Sequence, residues 1–539
     1  MKRRTFLASG AASLAFAGPT AAMAQSASRP GPDASGDPLD LGFADPPPIA
    51  KPHTLWHWMN GVVTREGITA DLESFKKVGL GGVQLFLVGG SEAKIDDPDN
   101  QILSEKWKSL FQHAVEECAR LGLQFGTHNS PGWSSTGFKT IALKDSMQKV
   151  VFSETKVAGG ATFSGVLKQP ETYQGWYGDI VCWAIPDEAT LSLDKAVNLT
   201  AQLKADGSLS WTAPAGNWVI VRIGHTSTGK RNGTAPVSGQ GNEVDKLDPT
   251  PLKAYWDTFP AELLKLAGPH VGKTFVHFEI DSYEVGNQNW TGIMPAEFRR
   301  RRGYDILPML LTVTGRTVES KDVTSRFQYD WKQTVHEMFI ENYFQAMQGL
   351  IHRVPGMKLL LEPYATGAEQ PFESLNAGIA ADLPMAEFWQ KPTPWGWNTN
   401  KPVVSGAHIW DRNVIAAEAF TGQPNSAWRV DPYALKSTGD RAYCDGINKF
   451  YFHTSAHQPW KTALPGMTMG QWGTHFGRTQ TWWDHGGPEW IRYLARSQFL
   501  LQHGKPVADL LYLAYDRMTP TPIRASGPKP SGPTPSSRD

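Results

Sequence analysis

The sequence has little cysteine, no surplus of charge and no long apolar run, and each shortage closes off a class of protein. Three cysteines in 539 residues, Cys118, Cys182 and Cys444, lie far apart. They define neither a disulfide framework nor a zinc-binding spacing, so they read as buried packing thiols. Lys plus Arg and Asp plus Glu number 52 each. With no net field to gather polyanions, nucleic acid and anionic membrane surfaces are poor partners. His57, His128 and His453 show no HxxxH spacing among themselves, which leaves zinc through them without a motif.

A mild apolar run at the N-terminus is too short to span a bilayer. It reads instead as an export signal. Lys2, Arg3 and Arg4 precede an apolar stretch to about Gly18, and Ala22-Met23-Ala24 supplies a small-x-small cleavage site. The paired arginines are similar to a twin-arginine signal over residues 1–24, which predicts a mature chain in the periplasm. Residues 25–52, rich in Pro, Gly, Ser and Asp, read as a linker. Residues 511–539 read as a Pro- and Ser-rich disordered tail.

What the chain has in quantity is tryptophan, 21 residues. An indole face stacks well on the C–H surface of a pyranose, so sugar recognition stands beside the plainer reading of a large aromatic core. The stretch Thr274–Trp290, TFVHFEIDSYEVGNQNW, organises the rest. Val276, Phe278 and Ile280 alternate with His277, Glu279 and Asp281, so a strand there turns polar, mostly acidic side chains to one face. Tyr283, Glu284 and Gly286 then break the alternation.

The neighbouring elements predict an α/β barrel. Thr54–Trp58 is a strand; Thr64–Val78 carries Ile68, Leu72, Phe75 and Val78 at helical spacing, with Thr64 as N-cap and Gly79 as C-cap. The strand Gly82–Val88, the helix Trp107–Leu121 and the strand Leu123–His128 continue the rhythm that a parallel sheet requires. From 148 to 224 short alternating runs between glycine turns predict an inserted antiparallel β-sandwich. Barrel units resume with helices at 251–266, 325–352 and 490–501 and strands at 357–361, 384–389, 414–420 and 449–453. The fold expected is thus a (β/α)8 TIM-like barrel, residues 53–147 and 225–510, interrupted by a β-sandwich.

Polar residues fall at the strand ends: His57 and Asn60, His128 and Asn129, Asp281 and Glu284, Glu362, Glu387, Glu418 and His453. A barrel would gather them on one rim. Glycosidic hydrolysis needs two carboxyl groups, a protonated acid at the leaving oxygen and a second group that activates water or attacks the sugar. The plainer reading is a set of buried ion pairs.

Five blocks also resemble a family. LWHWMNG at 55–61, GGVQLF at 81–86, THNSPGW at 127–133, FEIDSYEVGNQNWT at 278–291 and AAEAFT at 416–421 are similar to glycoside hydrolase family 106, the inverting α-L-rhamnosidases. The resemblance implies an α/β barrel with a β-rich insertion, calcium in the site and single-displacement hydrolysis of terminal α-L-rhamnose from plant glycosides or polysaccharides. Glu284 matches the family's general acid, Glu418 its general base, and Asp281 a residue kept beside them. His57, Trp58, Asn60, His128, Trp133, Asn287 and His453 are candidate sugar contacts, and Glu387 and Asn129 loosely matched calcium ligands. Family members usually continue into further β-rich domains, whereas this chain turns Pro-rich at Thr519. A shortened relative that binds carbohydrate without turnover is therefore the alternative expectation.

Overall fold

Eight parallel strands close into a barrel in the computed structural model, which describes residues 36–89, 95–365, 371–391, 399–422, 428–470 and 472–511. They are β1 (His53–Met59), β2 (Gly82–Val88), β3 (Gln124–His128), β4 (Phe275–Ile280), β5 (Lys358–Leu361), β6 (Leu383–Trp389), β7 (Ala416–Thr421) and β8 (Lys449–Ala456). Each pairs with the next in sequence, and β8 closes on β1. Both faces of such strands are covered, the inner by the barrel core and the outer by helices. That is why GVQLFLV and AAEAFT are buried along their whole length.

The helices begin and end where capping chemistry dictates. The Thr64 hydroxyl accepts from the Gly67 amide at 3.1 Å to start Arg65–Val78, and Gly79 at φ 104° stops it. Ser104 and Gly122 do the same for Glu105–Leu121. The expected helix at 251–266 is two helices, Pro249–Trp256 and Pro260–Ala267. Pro260 cannot donate an amide within a continuous helix and opens the second one instead. The expected helix at 325–352 runs Lys321–Phe339, a wider π turn at Ile340–Gln345 and Ala346–Ile351.

Between β3 and β4 lies an antiparallel sheet formed by Gln148–Val157, Trp218–Ser227, Gly178–Pro186 and Val197–Asn198. Alternation divides its side chains. Val181, Trp183 and Ile185 join the main core, while Cys182 and Ala184 face a second small core with Leu209 of the ribbon Thr162–Val166/Ser208–Thr212.

Two expectations need correction. The segment read as a linker contains the helix Pro38–Ala44, started by Asp37 and by Pro38 at its first position. Composition hid this helix, because proline and aspartate that mark a loop also mark a helix start. It docks on the helix Gly487–Leu501, where Arg496 donates to the Phe43 carbonyl at 3.0 Å and lies over the Phe43 ring. Cys118 and Cys182 are buried, but Cys444 is exposed and is not a packing thiol. Among the described residues no helix is long and apolar enough to cross a membrane. The expected signal at 1–24 and the tail from 512 lie outside the described residues.

Candidate active site

The C-terminal ends of β1, β4, β6, β7 and β8 open into a cavity of about 280 Å³. Strand alternation supplies its floor. In β4 Phe278 turns outward to pack on Trp256, ring centroids 5.5 Å apart, while Glu279 points inward and is fully buried. Asp281 follows with the same parity and lines the cavity.

Five carboxyl groups crowd this mouth. Glu284 stands on one wall, held by the Trp133 indole, which donates to its Oε2 at 3.0 Å, and by the Ser282 hydroxyl at 3.2 Å from Oε1. Glu418 stands on β7, where the Thr421 hydroxyl donates to Oε1 at 2.5 Å. Glu387 is its register partner on β6. Glu362 at the end of β5 accepts from the Tyr364 hydroxyl at 2.6 Å, and the same hydroxyl is 3.4 Å from Glu387.

Burial and mutual repulsion decide their protonation. Glu284 is pushed up to about 7, first by burial and then by the Asp281 charge, against the opposing Trp133 and Ser282 bonds. Its side chain is exposed at the mouth yet walled by protein on the remaining sides, so a sugar that displaces water would add to this push. Burial, followed by Asp281 and Glu284, pushes Glu387 to about 8. Burial raises Asp281, and it raises Glu362 and Glu418 well above the usual carboxylate range; the first charge to add to the push is Asp281 for Glu362 and Glu387, then Asp281, for Glu418. These groups therefore titrate as a set and cannot all be ionised together.

The histidines do not relieve that charge. Burial lowers His453 to about 3, and its Nδ1 lies 3.7 Å from Glu418 Oε1, beyond a hydrogen bond. His57 is also lowered, by burial and then by His453, and its Nδ1 meets the Thr454 hydroxyl at 2.8 Å. Both rings are neutral near pH 7. No Lys or Arg lines the cavity among the described residues. Trp133, Trp389, Trp472 and Met469 supply apolar walls instead.

Atoms of Asp281, Glu362 and Glu418 lie within 4.8 Å of one another, and Glu362 Oε1 has no hydrogen-bond partner although the residue is 1% exposed. An oxygen-only, like-charged set with an unpaired buried acceptor fits a hard divalent cation such as calcium. Glu362 was legible as a strand-end residue but not as part of this set.

Of the residues expected from sequence, Glu284, Glu418, Asp281, Glu387, His57, Trp133 and His453 line the one cavity. The others do not. Trp58 and Asn60 line a neighbouring pocket, because side chains adjacent in a strand point to opposite faces. His128 is buried beneath the rim, with Nδ1 2.7 Å from the Ser130 carbonyl and its ring stacked on Phe86. Asn129 is buried with both side-chain polar atoms engaged: its amide donates to the Glu279 carbonyl at 2.9 Å, and its Oδ1 accepts from Thr136 at 2.6 Å. Glu387 lies beside the three-carboxyl set, not in it. Asn287 is exposed on the loop after β4 and does not line the cavity. Trp389, Met469 and Trp472 were missed; the latter two sit in the long connection after β8, which has no periodicity to read.

Residues 44–187 and 177–538 match the glycoside hydrolase 106 family, described as alpha-L-rhamnosidase. A rhamnosidase from Novosphingobium sp. PP1Y superposes with a TM-score of 0.79 at 25% identity, covering 87% of this chain and 61% of that one. A curated protein of Formosa agariphila that carries the name beta-glucuronidase is 40% identical over 507 residues, 88% of this chain and 42% of its own length. The chain thus spans less than two thirds of either relative.

Proposed function

We propose that this chain, which belongs to glycoside hydrolase family 106, hydrolyses terminal α-L-rhamnosyl linkages with Glu284 as general acid and Glu418 as general base. One observation carries the reading: a carboxyl pushed up to about 7 and a second, Thr421-anchored carboxyl line the same cavity. Glu284, protonated near neutrality, gives its proton to the leaving glycosidic oxygen. Glu418 takes a proton from a water that attacks the anomeric carbon from the opposite face. The products are the freed alcohol and L-rhamnose of inverted configuration, an outcome that requires roughly 6.5–9.5 Å between the two carboxyl groups.

The base role requires Glu418 to be ionised, and its neighbours oppose that. Asp281, Glu362 and Glu418 would hold calcium, which when bound would offset their charge and supply a hard cation that favours the hydroxyl oxygens of the sugar. Burial is the first cause that keeps Glu284 protonated, and the tryptophan walls pack the 6-methyl group.

The lining also bears on the sugar. A cavity without Lys or Arg among its described lining residues offers a glucuronate carboxylate no basic side chain to pair with and suits neutral rhamnose. The decisive assay offers the purified protein, with calcium, an aryl α-L-rhamnoside and an aryl β-glucuronide. Cleavage of the first alone supports the proposal. Cleavage of the second alone refutes it, and binding of rhamnose without turnover makes the chain a carbohydrate binder. The export signal read at 1–24 assigns the activity to the periplasm, acting on plant glycosides or rhamnose-bearing polysaccharide fragments.

A further inference from the structure

A second pocket, about 580 Å³, lies outside the barrel wall at the ends of β1 and β2 and shares no lining residue with the catalytic cavity. Its size falls within the roughly 300–1,000 Å³ of small-molecule sites. Trp58 forms part of its floor, edge-on to Trp107 with centroids 6.3 Å apart. The Trp58 indole N–H has no hydrogen-bond partner among the described residues, although the side chain is only 1% exposed.

Asn100 lines the same pocket, 2% exposed. Its amide donates to the Gly61 carbonyl at 2.7 Å, which fixes the side-chain orientation and leaves Oδ1 unpaired. The pocket therefore holds one buried, unpaired donor and one buried, unpaired acceptor. Hydroxyl groups answer either, since each can accept one hydrogen bond and donate another.

The remaining lining narrows the ligand. Asp96 and Asp97 line the pocket and no Lys or Arg does; Lys106 is committed to Asp97 at 2.6 Å. An anion is repelled there. Exposed Ile95 and Val237, with Pro236, give an apolar margin for the C–H face of a ring.

We infer that this pocket is a second, non-catalytic site for a neutral saccharide, which bonds through its hydroxyls to Trp58 Nε1 and Asn100 Oδ1. The inference does not depend on which glycoside the barrel cavity cleaves. The test uses the full chain carrying Glu284→Gln, titrated by calorimetry with a neutral, rhamnose-ended disaccharide and with maltose. At least one should bind to two sites per chain. Val237→Trp, which fills the pocket from its exposed margin, should abolish the second binding event, and Trp58→Phe, which keeps the ring but removes the donor, should weaken it at least tenfold. Crystals soaked in the same sugar should show it between Trp58 and Asn100. A Val237→Trp variant of unchanged melting temperature that loses no binding event for either sugar, whether the parent isotherm shows one site or two, overturns the inference. So does a soaked crystal with only water there. Turnover of an aryl rhamnoside by the parent chain is read separately, so failure of this site and failure of the catalytic proposal are distinguishable.

Discussion

Replacing Trp133 by phenylalanine should make the enzyme active to higher pH. The Trp133 indole donates to Glu284 Oε2 at 3.0 Å, and a donor favours the ionised carboxylate, so it opposes the rise to about 7. A hydrogen bond to a charged group contributes roughly 1.5–3 kcal/mol. At about 1.36 kcal/mol per pKa unit that is an upward shift of about 1–2 units. Glu284 faces the open cavity, where water replaces part of the lost bond, and the expected shift is therefore about 0.5–1 unit. A general acid must be protonated to act, so kcat/KM falls as pH rises through its pKa. The alkaline limb, near pH 7 in the parent, should move up in Trp133→Phe. Measured as kcat/KM against pH on an aryl α-L-rhamnoside, this limb reports the free enzyme even if the lost indole also weakens sugar binding. A limb that stays in place or moves down would show that Glu284 is not the titrating acid.

Other expectations follow from the same geometry. Glu284→Gln and Glu418→Gln should each lower kcat by about 10²–10⁴ with the melting temperature retained, the contribution typical of acid–base groups. If Glu387→Gln proves the more damaging of the β6 and β7 changes, the base sits on β6. A chelator should abolish turnover and added calcium restore it; Glu362→Gln should raise the calcium requirement about tenfold or more, and indifference to chelation removes the cation. In the core, Lys246 and Glu243 form a fully buried pair at 2.9 Å. Glu243→Gln leaves that ammonium without its counter-charge at a cost of about 3–5 kcal/mol, which thermal unfolding should register as a clear fall in midpoint.

Much of the barrel was legible because its strands are bounded by glycine and cap residues and separated by amphipathic helices; Thr64 and Gly79 mark one helix to the residue. The acidic face of β4 was legible from alternation alone, which brought Asp281 and Glu284 forward. The same alternation separates His57 from Trp58, a conflict visible in the sequence once β1 is taken as a strand. Glu362 was harder, since its place in the set depends on β5 lying beside β4, a pairing that no local pattern encodes. Met469 and Trp472 reach the cavity through a chain connection whose course depends on tertiary packing, and Trp389 reaches it from the end of β6, where nothing local separates a sugar contact from a core indole.

The central claim is tested most directly by proton NMR of the reaction with an aryl α-L-rhamnoside in its first minutes, before the sugar equilibrates. The account predicts that β-L-rhamnose appears first. First release of α-L-rhamnose, or no release at all with calcium present, would contradict it.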